Sequence, residues 1–218
     1  MRAIAAAVLL FTLSTGCRGG SSEPPSDRPL SSARTTGAGA RLVMLDSVRL
    51  AESDSNFIGR ANGLAVDTSG EIFVADGLSA RLLEFSPDGR FVRAYGRKGS
   101  GPGELQRPLG IMLLGDSLVG VANIGSNSPV VFDRRTGNWV ATGRVGGYIF
   151  GGQQVGDSIW LAVLSRKRST SLASWRIGAD TMHYFGPVPR EYTESDNLWT
   201  SNPFGPFVAW QDTVALGF

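Results

Sequence analysis

The sequence has one cysteine and one histidine among its 218 residues. A single cysteine, Cys17, excludes an internal disulfide, and with His183 as the lone imidazole there is no Cys/His ligand set for a zinc site. A Ser-His-Asp arrangement would have to use His183, but the chain contains no G-x-S-x-G sequence. We therefore expect His183 to be an exposed or half-buried residue of an outer strand.

Long apolar runs and a strong charge bias are also missing. The apolar run at Ala3 to Leu13 is too short for an ordinary membrane-spanning helix, and no later stretch has about 20 unbroken apolar residues, so no spanning helix is predicted. Lys and Arg number 21 and Asp and Glu 19, and the basic residues form no long stripe, which argues against a nucleic-acid partner. Calcium held by loop carboxylates and carbonyls remains an open possibility, although no dense Asp-x-Asp-x-Asp run supports it, and no cofactor or metal site is predicted.

The first 16 residues are typical of a signal peptide. Met1-Arg2 is positively charged, Ala3 to Leu13 is apolar, and three small residues precede Cys17. The pattern resembles the lipobox of bacterial lipoproteins, although Ser14 stands where leucine is usual. The resemblance implies cleavage before Cys17 and acylation of that residue, and hence a lipid-anchored protein of the bacterial cell envelope, in the outer membrane or a periplasmic leaflet. The alternative is an ordinary secretory signal followed by an unpaired thiol.

Residues 17–40 are rich in Gly, Ser and Pro and almost without large apolar side chains. Such a segment cannot bury enough surface to offset the entropy lost on ordering. It is predicted to be a flexible tether that holds the domain of residues 41–218 away from the lipid surface.

The chain as a whole is 42% hydrophobic and contains 29 Gly and 11 Pro, as in a turn-dense all-β protein. Within residues 41–218, the clearest stretch runs from Phe57 to Ile111 and holds four short apolar runs separated by turn-forming residues. The predicted strands of this first repeat are Gly63 to Val66, Glu71 to Ala75, Arg81 to Phe85 and Phe91 to Tyr95.

Weaker copies of the same unit follow. The second is predicted at Gly110 to Leu114, Leu118 to Ala122, Pro129 to Phe132 and Trp139 to Thr142. The third is predicted at Phe150 to Val155, Ile159 to Leu164, Leu172 to Ile177 and Met182 to Phe185, and a fourth begins at Phe207. An Asp marks each first turn, at Asp67, Asp116, Asp157 and Asp212, with spacings of 49, 41 and 55 residues. These spacings are close to the length of a β-propeller blade, about 40 to 50 residues.

A four-stranded antiparallel unit with short internal turns and longer links predicts a β-propeller. The segments GLAVDTSGEIFVAD, RLLEFSPDGRFVRAYG and GSGPGELQRPLGI resemble NHL-type six-bladed propellers of secreted or lipid-anchored bacterial proteins. The resemblance is good over about one blade and loose over the remainder, and about three and a half blades are expected in all. Large side chains are expected to fill the gaps between blades: Phe73, Trp160, Trp175 and Trp210.

Residues 41–218 suffice for about four blades, fewer than the six that the resemblance implies. The segment Arg41 to Leu50 is predicted to be a strand of the kind that completes the last blade of a ring. Our hypothesis is that the chain is a truncated product of a longer reading frame, and a four-bladed ring is the lesser alternative.

Loop lengths indicate where a binding site would lie. In a meandering blade the second-to-third loops and the links between blades share one face, and these are the longer connections here. The main candidate binding residues of that face are Asp76, Arg97, Glu104, Arg107, Arg166 and Arg168; other charged residues there are Lys98, Lys167, Glu191, Glu194 and Asp196. The alternative for each is an ordinary solvated loop charge.

Two further motifs are interpreted as structural. Gly99 to Glu104 lacks the Lys and Ser/Thr that close a P-loop, which favours a turn between blades. The Asp at each first turn is expected to bind its own backbone, since a role repeated in every blade is usually structural.

We therefore predict a lipid-anchored propeller that acts as a binding or scaffold module for a protein or small-molecule ligand. The alternative is a metal-assisted hydrolase or lyase working in the central channel of a complete ring. An enzyme would show acidic side chains from several blades converging on the axis, whereas a binding module would show one broad loop surface.

Overall fold

The computed structural model describes residues 46–165, 170–187, 207–210 and 213–216, and strands are the only extended regular elements among them. The predicted signal peptide, the tether, Cys17, Arg166 and Arg168 lie outside these residues. Within the described part of the chain, no helix has the length and apolarity needed to cross a bilayer.

The first blade is a four-stranded antiparallel sheet in the order β1-β2-β3-β4. Its strands are β1 (Ala61–Val66), β2 (Ile72–Asp76), β3 (Arg81–Phe85) and β4 (Phe91–Tyr95). All four lie where the alternation of apolar residues predicts them, and β3 and β4 have the predicted bounds.

Two more blades repeat this order. The second contains β5 (Pro108–Leu114), β6 (Leu118–Asn123), β7 (Ser128–Asp133) and β8 (Trp139–Thr142). The third contains β9 (Tyr148–Val155), β10 (Ser158–Ser165), β11 (Thr170–Arg176) and β12 (His183–Pro187), and a further pair is formed by β13 (Phe207–Trp210) and β14 (Thr213–Leu216). The predicted all-β architecture of three full blades and part of a fourth is confirmed.

Turn chemistry explains where the strands end. In the Ser86–Gly89 turn, the Gly89 N–H donates to the Ser86 carbonyl at 2.8 Å, and Gly89 has a φ of 83°, a conformation that favours glycine. At the first turn of the blade, the Asp67 carboxylate accepts the backbone N–H groups of Ser69 and Glu71 at 2.9 and 3.0 Å. The expected structural role of this Asp is therefore confirmed for Asp67, while Asp212 lies outside the described residues.

The first strands of successive blades contact one another and so form the inner edge of the stack. A Cβ at Gly63 of β1 would overlap the Leu109 carbonyl oxygen of β5, and a Cβ at Gly110 would overlap the Phe150 carbonyl oxygen of β9. The Asn62 amide also donates to the Pro108 carbonyl at 2.9 Å. Glycine is needed at these positions because the backbones of neighbouring blades approach so closely.

Buried clusters fill the space between blades. Between the first two blades, Phe73 packs with side chains of both sheets, including Leu82 and Phe132. Between the second and third, Trp175 packs with Met112 and Ile149. The expectation that Phe73 and Trp175 lie between blades is thus confirmed; Trp160 is half-buried on the other face of the third blade, against Phe185 at 4.8 Å between ring centroids, and the Trp210 side chain is outside the described part.

The predicted strand at Arg41 to Leu50 is wrong over its described half. Residues 46–50 form no strand; the chain instead crosses the Ser86–Gly89 turn, where the Ala51 N–H donates to the Gly89 carbonyl at 2.8 Å. Leu50 packs against the cluster of Ile72, Val74, Leu83 and Phe85 on the first blade. Leu50 therefore packs on the first blade without ladder hydrogen bonds. Arg41 to Leu45 lies outside the described residues.

Candidate functional site

The two ends of the blades carry different connections. The Arg134 N–H of the β7–β8 turn donates to Ser117 of the β5–β6 turn at 2.8 Å, so these turns share an end that we call the short-turn face. At the opposite end, the Gly77 N–H donates to the Arg60 carbonyl at 2.8 Å and the Ile124 N–H to the Arg107 carbonyl at 3.0 Å. This end carries the β2–β3 and β6–β7 loops and the links between blades, and we call it the long-loop face. The expected division of loops between two faces is confirmed.

Asp76, a predicted binding residue, is fully buried at the end of β2. Its carboxylate accepts the backbone N–H groups of Gly59, Arg60 and Leu78 at 3.1, 2.9 and 2.9 Å, and the hydroxyl of Ser79. Burial acts to raise the pKa of Asp76, but these hydrogen bonds, led by that from Ser79, hold the pKa below its ordinary value. The carboxylate is therefore ionised and committed to holding the link that enters the blade.

Asn123 repeats this arrangement in the second blade. Its Oδ1 accepts the backbone N–H groups of Gln106 and Arg107 at 3.0 and 2.9 Å, and its Nδ2 donates to the Ser126 hydroxyl at 2.8 Å. The loops also share their backbone conformation, since Ala80 and Asn127 occupy equivalent positions with φ of 53° and 51°. In the third blade the Ser165 hydroxyl donates to the Gly146 carbonyl at 2.6 Å. In each of the three full blades, a polar side chain at the end of the second strand thus fixes the backbone of the long-loop face.

Arg97 and Glu104 lie together on the link between the first two blades. The Arg97 Nε donates to the Glu104 carboxylate at 2.8 Å, and the Gly101 N–H donates to the same carboxylate at 2.9 Å. The backbone hydrogen bond from Gly101 and the Arg97 guanidinium hold the pKa of Glu104 below its usual range. Leu105, next along the link, is fully buried between the blades. The structure thus confirms a link between blades at the glycine-rich segment, and it leaves the Arg97 side chain 81% exposed.

Arg107 is exposed immediately before β5. Arg60, which was not among the predicted binding residues, is exposed immediately before β1, at the equivalent position of the repeat. A signal for Arg60 exists in the sequence, since aligning the repeats by Asp76 and Asn123 places Arg60 and Arg107 together. Arg166 and Arg168, on the β10–β11 loop, lie outside the described residues.

The charges of the described residues are distributed unequally between the two faces. The long-loop face carries six basic residues, Arg60, Arg81, Arg97, Lys98, Arg107 and Arg144, against four acidic ones, Glu52, Asp54, Asp76 and Glu104. The turns of the short-turn face carry four basic residues, Arg90, Arg134, Arg135 and Arg176, against seven acidic ones, Asp67, Glu71, Asp88, Asp116, Asp133, Asp157 and Asp180. Beside these turns lie two further residues of each sign, Arg49 and Arg93 with Asp46 and Glu84, which leave the balance unchanged. Because Asp76 is buried, basic residues outnumber acidic ones by six to three on the described long-loop surface. The described long-loop surface is therefore basic, and the described short-turn surface is acidic.

Charges of the short-turn face tie the first two blades together. Arg134 of the second blade pairs with Asp67 at 2.6 Å and with Glu71, and its guanidinium lies 4.9 Å from the Phe73 ring centroid. Burial acts to raise the pKa of Asp67, but hydrogen bonds from Ser69, Arg134 and the backbone lower it to about 2. Nearby, burial raises the pKa of the Tyr95 hydroxyl, which donates to Glu84. This network stabilises the contact between blades.

Among the described residues, no group of three or more His, Cys, Asp or Glu side chains is placed to hold a metal ion. His183 is exposed at the start of the outer strand β12, as expected. Taken with the charges and hydrogen bonds above, the described part of the long-loop face is a basic surface over a fixed backbone.

Residues 42–116 match a family model described as a 6-bladed beta-propeller. An 80-residue stretch is 34% identical to human NHL repeat-containing protein 3 and 35% identical to the mouse protein, covering 35% of this chain in each case. The chain spans 23% of the length of these relatives. The NHL-type repeat predicted from the first blade is thus supported over that blade and the start of the second.

Two solved structures share the fold at low sequence identity. A protein of Bacteroides fragilis aligns with a TM-score of 0.52 and 16% identity over 64% of this chain and 41% of its own. Hydrazine synthase of Kuenenia stuttgartiensis aligns with a TM-score of 0.50 and 11% identity over 65% of this chain and 40% of its own. At such identities the likeness concerns the arrangement of strands alone.

Proposed function

We infer that this NHL-type β-propeller is a binding module, held in the bacterial cell envelope by a lipid on Cys17, and that its partner binds the long-loop face. The observation that carries this proposal is the difference between the two faces. On the short-turn face, the network around Arg134 and Asp67 pairs partly buried side chains with one another. On the long-loop face, buried Asp76 and Asn123 fix the backbone beneath exposed basic side chains.

A fixed backbone under exposed side chains favours binding because little conformational entropy is lost when a partner docks. The basic surface adds long-range attraction for a partner of opposite charge, which speeds encounter and selects among partners. The partner is a protein or a small molecule.

The lipid anchor is tested by Cys17→Ser in the full chain. We expect the variant to leave the membrane fraction, because acyl chains can be attached at this position only through the cysteine. The measurement is the distribution of the protein between membrane and soluble fractions of lysed cells. A variant that remains with the membrane would contradict the anchor and leave the proposed binding face unaffected.

Binding on the long-loop face is tested by two double variants with the same loss of charge. Arg97→Gln with Lys98→Gln alters the long-loop face, and Arg90→Gln with Arg135→Gln alters the short-turn face at residues that are also exposed. Each full chain is purified from detergent-solubilised envelopes, and co-purifying molecules are quantified by mass spectrometry. We expect molecules retained by the wild type to be depleted with the first variant and kept with the second. Equal retention by both, or depletion confined to the second, would contradict the proposal.

A further inference from the structure

Arg60 and Arg107 occupy the same place in successive blades. Each precedes the inner strand of its blade, and each has its backbone N–H held at 2.9 Å by the buried side chain that ends the second strand, Asp76 or Asn123. Each backbone carbonyl accepts the N–H of the residue after that side chain, Gly77 or Ile124. The backbone from which each guanidinium projects is therefore fixed in the same way.

Contacts between the blades bring these two positions close together. The Asn62 amide, two residues after Arg60, donates at 2.9 Å to the carbonyl of Pro108, the residue after Arg107. Asn62 also lies directly beside Gly77, whose carbonyl accepts a long hydrogen bond of 3.4 Å from the Arg60 guanidinium. Both arginines thus begin neighbouring inner strands, beside the axis of the blade stack and at its long-loop end.

Two guanidinium groups that project from neighbouring backbone positions favour a particular kind of ligand. A guanidinium carries five N–H donors in a planar fork that matches the two oxygens of a carboxylate or phosphate. Five donors also allow it to keep a contact within the protein while binding an incoming anion. Asp76, the acidic group beneath Arg60, is already saturated by four hydrogen bonds, three from backbone N–H groups and one from Ser79.

We propose that Arg60 and Arg107 form an oxyanion-binding site that takes the carboxylate or phosphate group of a small ligand at the inner edge of the long-loop face. This inference rests on the proposed function, since it names the ligand chemistry of the same face. It adds that the two repeat-equivalent arginines beside the axis make the direct contacts with the oxyanion, while the outer basic residues Arg97 and Lys98 contribute long-range attraction for the ligand.

The test is isothermal titration calorimetry of the full chain in detergent at low ionic strength, with inorganic phosphate and succinate as separate probes. The variants are Arg60→Gln, Arg107→Gln and Arg60→Lys, with Arg90→Gln as the matched control on the opposite face. The arginine side chains can be changed without removing the backbone N–H groups that Asp76 and Asn123 hold, and circular dichroism verifies folding. We expect each Gln variant to bind the better probe about tenfold more weakly, the loss of one charge-assisted contact. The control is expected to bind like the wild type.

Arg60→Lys separates a forked site from a general basic field. We expect it to lose most of the affinity, since an ammonium group cannot form two parallel hydrogen bonds to one oxyanion. The stronger probe identifies the source of the oxyanion as a phosphate or a carboxylate. Absence of saturable binding by either probe, or unchanged affinity in both Gln variants or in Arg60→Lys, would overturn the site. If Arg97→Gln with Lys98→Gln still depleted co-purifying molecules, the proposed function would stand without it.

Discussion

Asp76 and Asn123, the buried residues that end the second strands of two blades, hold the entering link through different hydrogen-bond patterns. In the first blade Asp76 accepts at both oxygens, from three backbone N–H groups and from Ser79. In the second blade Asn123 accepts at one atom and donates to Ser126 from the other. The carboxylate and the amide are therefore not equivalent, although each ends the same strand of its blade.

This difference predicts an asymmetric exchange. Asp76→Asn places an amide N–H₂ against at least one backbone N–H donor, so we expect the free energy of unfolding to fall by about 2 kcal/mol. Asn123→Asp keeps both accepted hydrogen bonds, and the Ser126 hydroxyl can turn to donate, as Ser79 does to Asp76. We expect a loss of about 1 kcal/mol or less in that case. Urea unfolding of the two full-chain variants measures both values, and equal losses would show that the donor pattern does not decide stability.

The sequence singles out Asp76 as a candidate binding residue. The structure shows its carboxylate buried and hydrogen-bonded to the neighbouring backbone. A charged residue beside a loop of the long-loop face looks like a binding residue, because the loop could equally turn the carboxylate outward. The alignment of Asp76 and Ser79 with Asn123 and Ser126 contains the signal for burial, since an acid replaced by a neutral amide in the next repeat points to local hydrogen bonding. Arg60 and Arg107 become visible by the same alignment.

At the scale of the strands, turn-forming residues explain why the sequence predicts several strand bounds correctly. The bounds of β3, β4 and β8 agree with the prediction because short turns containing glycine, at Gly89 and Gly137, leave the chain little choice of where to reverse. Residues 46–50 are the exception, since their apolar residues fit a strand equally well. Only the tertiary structure shows that Leu50 packs on the first blade without pairing.

The contact between inner strands is tested by a matched pair of glycines. A Cβ at Gly63 would overlap the Leu109 carbonyl oxygen of the next blade, whereas a Cβ at Gly151 would meet nothing within 4 Å. Both glycines lie in inner strands and neither has a positive φ. We expect Gly63→Ala to lower the free energy of unfolding by about 2 kcal/mol through overpacking and Gly151→Ala to change it little. Chemical unfolding of both variants checks this, and a neutral Gly63→Ala would contradict the close stacking of β1 on β5.

Over the whole molecule, stacking produces two faces with different properties. Buried clusters and inner-strand contacts join the three blades, and the network of Arg134 with Asp67 and Glu71 joins the first two blades at the acidic short-turn face. On the basic long-loop face, most of the described basic side chains are exposed over a fixed backbone. The repeat pattern predicts the division into faces, because loop lengths alternate along the chain. It does not predict the charge difference, which depends on which side chains become buried or paired.

The most direct test of the binding face is site-specific photo-crosslinking in intact cells that produce the full chain. A photoreactive amino acid replaces Lys98, exposed on the long-loop face, or Asp116, exposed on the short-turn face. We predict a crosslinked product of discrete mass from position 98 and none from position 116, because the partner docks on the long-loop face. A discrete product from position 116 with none from position 98 would contradict the account.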